Sequence, residues 1–306
     1  MKSILSKIGM VMLRESQLDF IKHYYGTIQE NLFISDNNAV FSIIFSKDRA
    51  MQLDAFLRSY FTYVTNPGTV KILYYVSSQE HDESYETLKE LYSDKPVVFI
   101  KETHFRDQLI STLEESVEDK VILFVDDMLF TRKIDFKSLT EIDPFKNIVA
   151  LSRGKDLLYS TVLSKKIETP RFKKSENNWL SFSWSEIKEF SDWTFPLGTS
   201  GYMYSRKELL YMLKSISFKA PNSMEGQMQL FNIYFKDRKG ICGEQVITPC
   251  IHANITQTEG YNPVTGHFSL EELLQEWKSG KRIKFEEFYE LPVTEAEVKK
   301  YSFVDR

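Results

Sequence analysis

Between residues 41 and 125, four short apolar runs alternate with three segments of helical periodicity. The runs are Phe41–Phe45, Val70–Val76, Pro96–Ile100 and Val121–Val125. Between them, Leu53, Phe56, Leu57 and Tyr60 recur at helical spacing and Glu83–Leu91 reads as a helix. Phe105, Leu109, Ile110, Leu113 and Val117 mark the third helical segment. Alternation at this interval predicts βαβ units and a mostly parallel sheet with flanking helices, an α/β fold of Rossmann type. The runs are almost continuously apolar, as strands covered on both faces are. Right-handed crossovers bring the C-terminal ends of such strands to one edge, where open α/β sheets bind their ligands. The residues just after each run are therefore where chemistry is expected.

Those residues are polar. Ser46-Lys47-Asp48-Arg49 follow the first run, Ser77 and Ser78 the second, and Lys101 and Glu102 the third, with Arg106 opening the next helix. Asp126-Asp127 follow the fourth and most apolar run. Two adjacent carboxylates after a buried strand repel each other and lose hydration, and a divalent cation such as Mg2+ or Mn2+ offsets both costs. An edge carrying this pair, several cations and several hydroxyls suits a metal-bound phosphate ester. The plainer alternative is a polar strand end that caps the next turn.

Composition narrows the classes. With 306 residues the chain can bury a sizeable core. Its 43 acidic against 39 basic residues give a formal charge of −4, unlike a general nucleic-acid binder. An apolar share of 42% with 14% aromatics excludes disorder as the main state. Two cysteines, Cys242 and Cys250, exclude a disulfide framework and a four-cysteine zinc site. No uninterrupted apolar stretch is long enough to span a membrane. Met1–Arg14, interrupted by Lys7, reads as a surface helix rather than a signal peptide, so the expected address is the cytoplasm. Neither GxGxxG nor GxxxxGK[ST] occurs, which argues against dinucleotide-binding and Walker-type enzymes.

The second half is less regular. Asn147–Leu151 and Val246–His252 read as strands, and Leu209–Ile216 and Asn222–Phe235 as helices. Lys165, Lys166, Arg171, Lys173 and Lys174 form a basic loop that suits an acidic acceptor, a lipid diphosphate or an anionic membrane face, or is simply solvated. Asp192-Trp193 precede a turn containing Gly198 and Gly201, where an aromatic and a carboxylate suit a sugar ring, although Trp193 equally suits a core. Ser269-x-x-Glu272 and Thr294-x-x-Glu297 have the capping-box pattern, which predicts C-terminal helices.

The order of these segments resembles the GT-A class of nucleotide-sugar glycosyltransferases, in particular bacterial surface-polysaccharide (capsule and O-antigen) members. FSIIFSKDR (41–49), FRDQL (105–109) and VILFVDD (121–127) carry the resemblance, which covers roughly residues 40 to 255. It implies four regions: a helical extension over 1–38, a nucleotide-sugar-binding half over 39–150, an acceptor-side half over 151–260 and a C-terminal helical segment over 261–306. It implies a nucleoside-diphosphate sugar donor, a UDP-sugar in the first place, and a glycan or lipid-linked glycan acceptor. Ser46, Lys47, Asp48, Arg49, Ser77, Arg106 and Asp126 would bind the donor, and Asp127 with His252 would hold Mn2+ or Mg2+. Asp192, Trp193 and Gly201 would face the acceptor. Glu225 would be the general base of an inverting displacement, although Asn222-x-x-Glu225 is also a helix-capping pattern. Two departures stand out: Ser77 replaces an aspartate common in relatives, and Met128 stands where a third acid often lies. A metal-dependent nucleotidyltransferase and a non-catalytic glycan- or partner-binding domain are the competing readings. The first lacks its usual glycine-rich loop in Ser46–Ala50. Peripheral membrane contact and homo-oligomerisation stay open.

Overall fold

The computed structural model describes residues 38–161, 163–175, 179–251, 254 and 268–306. The expected N-terminal helix lies outside these residues, as does His252. The first half alternates as predicted: β1 (Val40–Lys47), α1 (Ala50–Tyr63), β2 (Val70–Tyr75), α2 (Gln79–Leu91), β3 (Val97–Lys101), α3 (Phe105–Glu115) and β4 (Lys120–Val125). The second half supplies β5 (Asn147–Gly154), β6 (Lys173–Lys174), β7 (Leu180–Ser183), β8 (Tyr202–Ser205), α4 (Arg206–Ser215), α5 (Pro221–Met228), β9 (Lys239–Gly243) and α6 (Leu270–Lys278).

One nine-stranded sheet has the order β6-β7-β9-β5-β8-β4-β1-β2-β3. Only β7 and β8 run against the other strands. The chain builds outward from β1 through β2 to β3, then crosses back to lay β4 on the other side of β1. The C-terminal ends of β1 and β4 therefore flank a topological switch point, the place where an open α/β sheet leaves a crevice.

β1 and β4 are buried along nearly their whole length, as their apolar sequences require. Helix α1 covers them with Leu53, Phe56, Leu57 and Tyr60, the residues that repeat at helical spacing. Phe56 packs edge-on against Phe124 and Phe130, and Tyr60 against Phe130 and Phe136. Met128, read by resemblance as a missing acid, is wholly buried in this core.

Several boundaries differ from the sequence reading. Val246–His252 forms no strand among its described residues; Pro249 lacks the N–H a ladder needs, and pairing there reduces to a single antiparallel bridge between Met128 and Cys250. The helix expected over Asn222–Phe235 is divided into α5, a 3-10 turn at Gln229–Phe231 and a last turn at Asn232–Phe235. The Ser269–Glu272 capping box forms, but Pro292 rather than Thr294 begins the last helix, Val293–Val298. Among the described residues, no helix is long and apolar enough to cross a membrane.

Candidate active site

The loop after β1 and the turn after β4 meet at the switch point. Asp126 is 3% exposed and Arg49 8%. Arg49 Nη1 lies 3.0 Å from Asp126 Oδ1 and 3.0 Å from Asp127 Oδ2. Asp126 Oδ2 accepts from Ser46 Oγ at 2.8 Å and from the Lys47 N–H at 3.1 Å. Arg49 is held from its other side by Asn254, whose Oδ1 takes Nε at 2.9 Å and whose carbonyl takes Nη2. Tyr85 closes the inner wall, its hydroxyl in contact with Ser46 Oγ and accepting from the Arg49 N–H at 3.3 Å.

Burial pushes the Asp126 carboxyl up to about 6; Arg49 pulls the other way and the adjacent Asp127 charge adds to the rise. For Arg49, burial disfavours the charge, but Asp126 and Asp127 outweigh it and hold the guanidinium above its ordinary range. Two carboxylates against one guanidinium leave the cluster with one negative charge when both acids are ionised.

Asp48 carries a left-handed φ of 57°, which a short acidic side chain tolerates better than most. Its Oδ1 accepts the Ser77 N–H at 2.7 Å, joining the loops after β1 and β2. Lys47 stands over the half-exposed Tyr75 ring at 5.6 Å. Ser46, Lys47, Asp48, Arg49, Ser77, Asp126 and Asp127 are thus gathered at one edge.

Arg106 is not with them. Its guanidinium turns to the C-terminal end of α4, donating to the carbonyls of Ile216 at 3.1 Å, Lys214 at 3.0 Å and Leu213 at 3.4 Å. Those carbonyls have no helical partner, and a cation at a helix C-terminus satisfies them. The expected donor contact is replaced by a structural one.

The acceptor-side residues divide. β8 runs antiparallel between β4 and β5, with Tyr202 opposite Leu123 and Ala150, so the segment leading into it arrives at the same edge as Asp126. Gly201 immediately precedes this strand at φ +76°, with its N–H on the Leu123 carbonyl at 2.8 Å and its own carbonyl taking the Leu151 N–H at 2.9 Å. It is built into the sheet rather than offered to an acceptor. Trp193 is wholly buried, edge-on to Phe172 and Phe182, so it packs as core and presents no face to a sugar. Asp192 stands beside Arg153, whose Nη2 donates to the Asp192 carbonyl at 2.9 Å. Its carboxylate Oδ2 is buried without a hydrogen-bond partner among the described residues.

Glu225 lies at this edge. Its Oε1 accepts the Thr199 N–H at 3.1 Å, and Gly198 leaves the space it needs, because a Cβ there would stand 3.1 Å from Oε1. The helix is capped by Ser223, whose hydroxyl accepts the Ala220 N–H at 3.0 Å, so Glu225 is free of the capping role its spacing allowed. Burial holds its carboxyl above the ordinary glutamate range, against the opposing pull of the Thr199 N–H and of Arg153.

Arg153, Tyr85 and Tyr301 have no counterpart in the sequence reading. Arg153 follows the strand at Asn147–Leu151, and the strand-end rule that selected Arg49 and Asp126 extends to it. Tyr301 donates its hydroxyl to the Ile251 carbonyl, while the Ile251 N–H reaches the Asp127 carbonyl at 2.6 Å. No periodicity links such distant segments.

The donor set decides whether a cation fits. Asp126 commits both oxygens to Arg49, Ser46 and Lys47. Asp127 commits Oδ2 to Arg49, and its Oδ1 takes no hydrogen bond among the described residues. No group of three or more His, Cys, Asp or Glu side chains gathers among those residues. They offer one carboxylate oxygen beside a residual negative charge, which suits a Mg2+-like ion that draws its other ligands from phosphate and water.

In sequence the chain is similar to glycosyltransferases. A curated relative, the bifunctional glycosyltransferase pgtA of Dictyostelium discoideum, is 24% identical over 197 residues, covering 58% of this chain and 25% of the relative. The chain thus spans about a quarter of the length of that relative. No protein-family model matches it. Among solved structures, TarS of S. aureus aligns at 12% identity and TM-score 0.44, over 69% of this chain and 36% of that one. TarS 1-349 in complex with UDP-GlcNAc aligns at 12% identity and TM-score 0.41, over 73% and 60%. A nucleotidyl transferase from Methanothermobacter aligns at 8% identity and TM-score 0.37, over 68% and 88%.

Proposed function

We propose that the chain is a glycosyltransferase that moves a sugar from a nucleoside-diphosphate sugar to a hydroxyl of a glycan or lipid-linked glycan, with inversion. The observation that carries this reading is the placement at one sheet edge of two kinds of acid. Asp126-Asp127 are tied to the Arg49 guanidinium at the switch point, and Glu225 is half-buried and oriented by the Thr199 N–H.

In this reading the Glu225 carboxylate accepts the proton of the acceptor hydroxyl. The hydroxyl oxygen bonds to the anomeric carbon, and the bond from that carbon to the diphosphate oxygen breaks. The nucleoside diphosphate leaves with the electron pair. Thr199 fixes the carboxylate through its N–H, and burial makes the carboxyl more basic than an exposed glutamate. Ser46 and the Lys47 N–H set Asp126 in place, and Arg49 sets Asp126 and Asp127 relative to each other. A divalent Mn2+ or Mg2+ held by Asp127 would neutralise charge on the departing diphosphate. A UDP-sugar is the first donor to try, and surface-polysaccharide assembly is the setting the sequence resemblance suggests.

The test is a thermal-shift screen of nucleoside diphosphates and sugar nucleotides, with and without Mn2+, followed by turnover on the donor that binds. A ligand selective for the native state raises its melting temperature by mass action. A Mn2+-dependent shift with one sugar nucleotide, and release of its nucleoside diphosphate when a glycan acceptor is added, supports the reading. Binding of nucleoside triphosphates with release of pyrophosphate would replace it with nucleotidyl transfer.

A further inference from the structure

Residues 158 to 190 carry an exposed feature that the transfer reading leaves unused. Five cations and one carboxylate fall between residues 165 and 174, in a chain of net charge −4. Lys165, Lys166, Arg171, Lys173 and Lys174 are all exposed and pair with no carboxylate among the described residues. Neighbouring Lys155, by contrast, holds Glu244 at 2.8 Å.

Large apolar side chains are exposed in the same part of the chain. Leu158 is 55% exposed, Tyr159 38% and Phe190 60%. Tyr159 and Lys166 face each other across a short antiparallel hairpin, Tyr159–Ser160 with Lys165–Lys166. Directly opposed residues share a face of such a hairpin, so Tyr159 and Lys166 lie on one side and Ser160 and Lys165 on the other. The chain continues from the hairpin into 167–170, which borders a recess of about 130 Å³ with 186–189 and Ser191; Glu168, Glu186, Lys188 and Glu189 stand on its rim, so the cations are concentrated on the hairpin, Arg171 and β6. The shared recess brings the Phe190 segment beside the hairpin. Strand β6, at the edge of the sheet, adds Lys173 and Lys174. Lysines on an edge strand also discourage strand addition by another copy, which does not account for Lys165, Lys166 or Arg171 on the hairpin and its continuation.

We infer that this exposed edge, built on the hairpin of Tyr159–Ser160 with Lys165–Lys166, on β6 and on Phe190, docks on an anionic phospholipid surface with both sides of the hairpin in contact. Cations meet the lipid phosphates while Leu158, Tyr159 and Phe190 leave water for the interfacial layer. A soluble polyanion would satisfy the cations but give three exposed apolar side chains no favourable phase; a lipid surface satisfies both. The inference does not depend on the transfer reaction.

The experiment is co-sedimentation of the full chain with vesicles of phosphatidylcholine alone, or of equal parts phosphatidylcholine and phosphatidylglycerol. Binding to the mixed vesicles only is expected, falling as salt is raised. Lys165→Gln with Lys166→Gln should weaken partition about thirtyfold, the loss expected of two juxtamembrane cations. Tyr159→Ser with Phe190→Ser should weaken it while leaving its salt dependence. Lys137→Gln with Lys236→Gln, on distant exposed lysines, should change nothing. The inference is overturned if the chain ignores both vesicles, binds both equally, or keeps full binding in the patch variants. It is likewise overturned if the patch binds heparin or single-stranded DNA in preference to anionic vesicles. Sugar-nucleotide binding measured on the same variants should be unchanged.

Discussion

Arg49 and Asp126, 77 positions apart, form a buried ion pair at 3.0 Å where β1 and β4 diverge. The pair closes a chain of contacts that runs from Tyr85 through Ser46 and Asp126 to Arg49 and on to Asn254. Folding the sheet is what builds the site: the register of β1 on β4 sets Phe45 opposite Val125 and brings the two polar loops together.

Removing one partner of a buried pair leaves an uncompensated charge. Arg49→Met should therefore lower stability by about 3–5 kcal/mol. The denaturation midpoint measures this. Arg49→Met combined with Asp126→Asn should recover part of the loss, because the more deeply buried of the two carboxylates is then no longer stranded and only Asp127 lacks its cation. An unchanged midpoint in the single variant would show that Arg49 does not balance Asp126.

Asp127 has an oxygen left over after Arg49 is satisfied. Asp127→Asn should reduce sugar-nucleotide affinity in Mn2+ by about tenfold or more, the scale of metal-site contacts. In excess chelator the variant and the native chain should bind alike. Calorimetric titration reads both. A variant as tight as the native chain in Mn2+ would remove Asp127 from cation binding.

Glu225 must be ionised to accept a proton, and burial raises its pKa. Turnover should therefore fall as pH drops through that raised value, with the acid limb of the kcat profile above where an exposed glutamate would put it, near 4.3. Glu225→Gln should abolish the limb and cost roughly 10²–10⁴ in kcat with donor affinity intact. The stability linkage runs in the opposite direction. A raised acid pKa means the native chain binds the proton more tightly than the unfolded one, so this residue's contribution is greatest at low pH. It declines as pH rises from the ordinary glutamate range through the raised value. A kcat limb unmoved by the substitution would refute the base assignment.

Arg106 separates the two roles a sequence position can have. Arg106→Ala should lower stability by about 1–3 kcal/mol through loss of its bonds to the end of α4. Sugar-nucleotide affinity should not change. A selective loss of affinity at unaltered melting temperature would return Arg106 to the donor site.

The first half of the fold was legible because each of its strands is a continuous apolar run between helices of clear periodicity. That alone places Ser46–Arg49 and Asp126-Asp127 on one edge. β7, β8 and β9 were missed for a physical reason: they are short, and what holds them is their neighbours. Gly240 in β9 reads as a turn residue, yet it is there because the Phe182 ring lies where its Cβ would be. Arg106 was misplaced because a cation at a helix start looks the same whether it meets a phosphate or another helix's carbonyls. Trp193 and Gly201 likewise carried sugar-binding chemistry in their types but packing in their positions. Tyr301 and Asn254 contribute through contacts across the whole chain, which no local pattern encodes.

The left-handed backbone of Asp48 limits what evolution can do beside this site. A β-branched residue does not settle at a φ of 57°. Glycine keeps the shape but loses the acceptor that holds the Ser77 N–H, and glutamate carries its oxygens one methylene too far out. Asparagine alone preserves both, so drift at position 48 is confined to a choice of two. A lineage that left that choice would shift Ser46 on one side and Arg49 on the other before any other loop of this edge had changed. Divergence at this edge is then expected to accumulate on its other loops, with position 48 nearly silent.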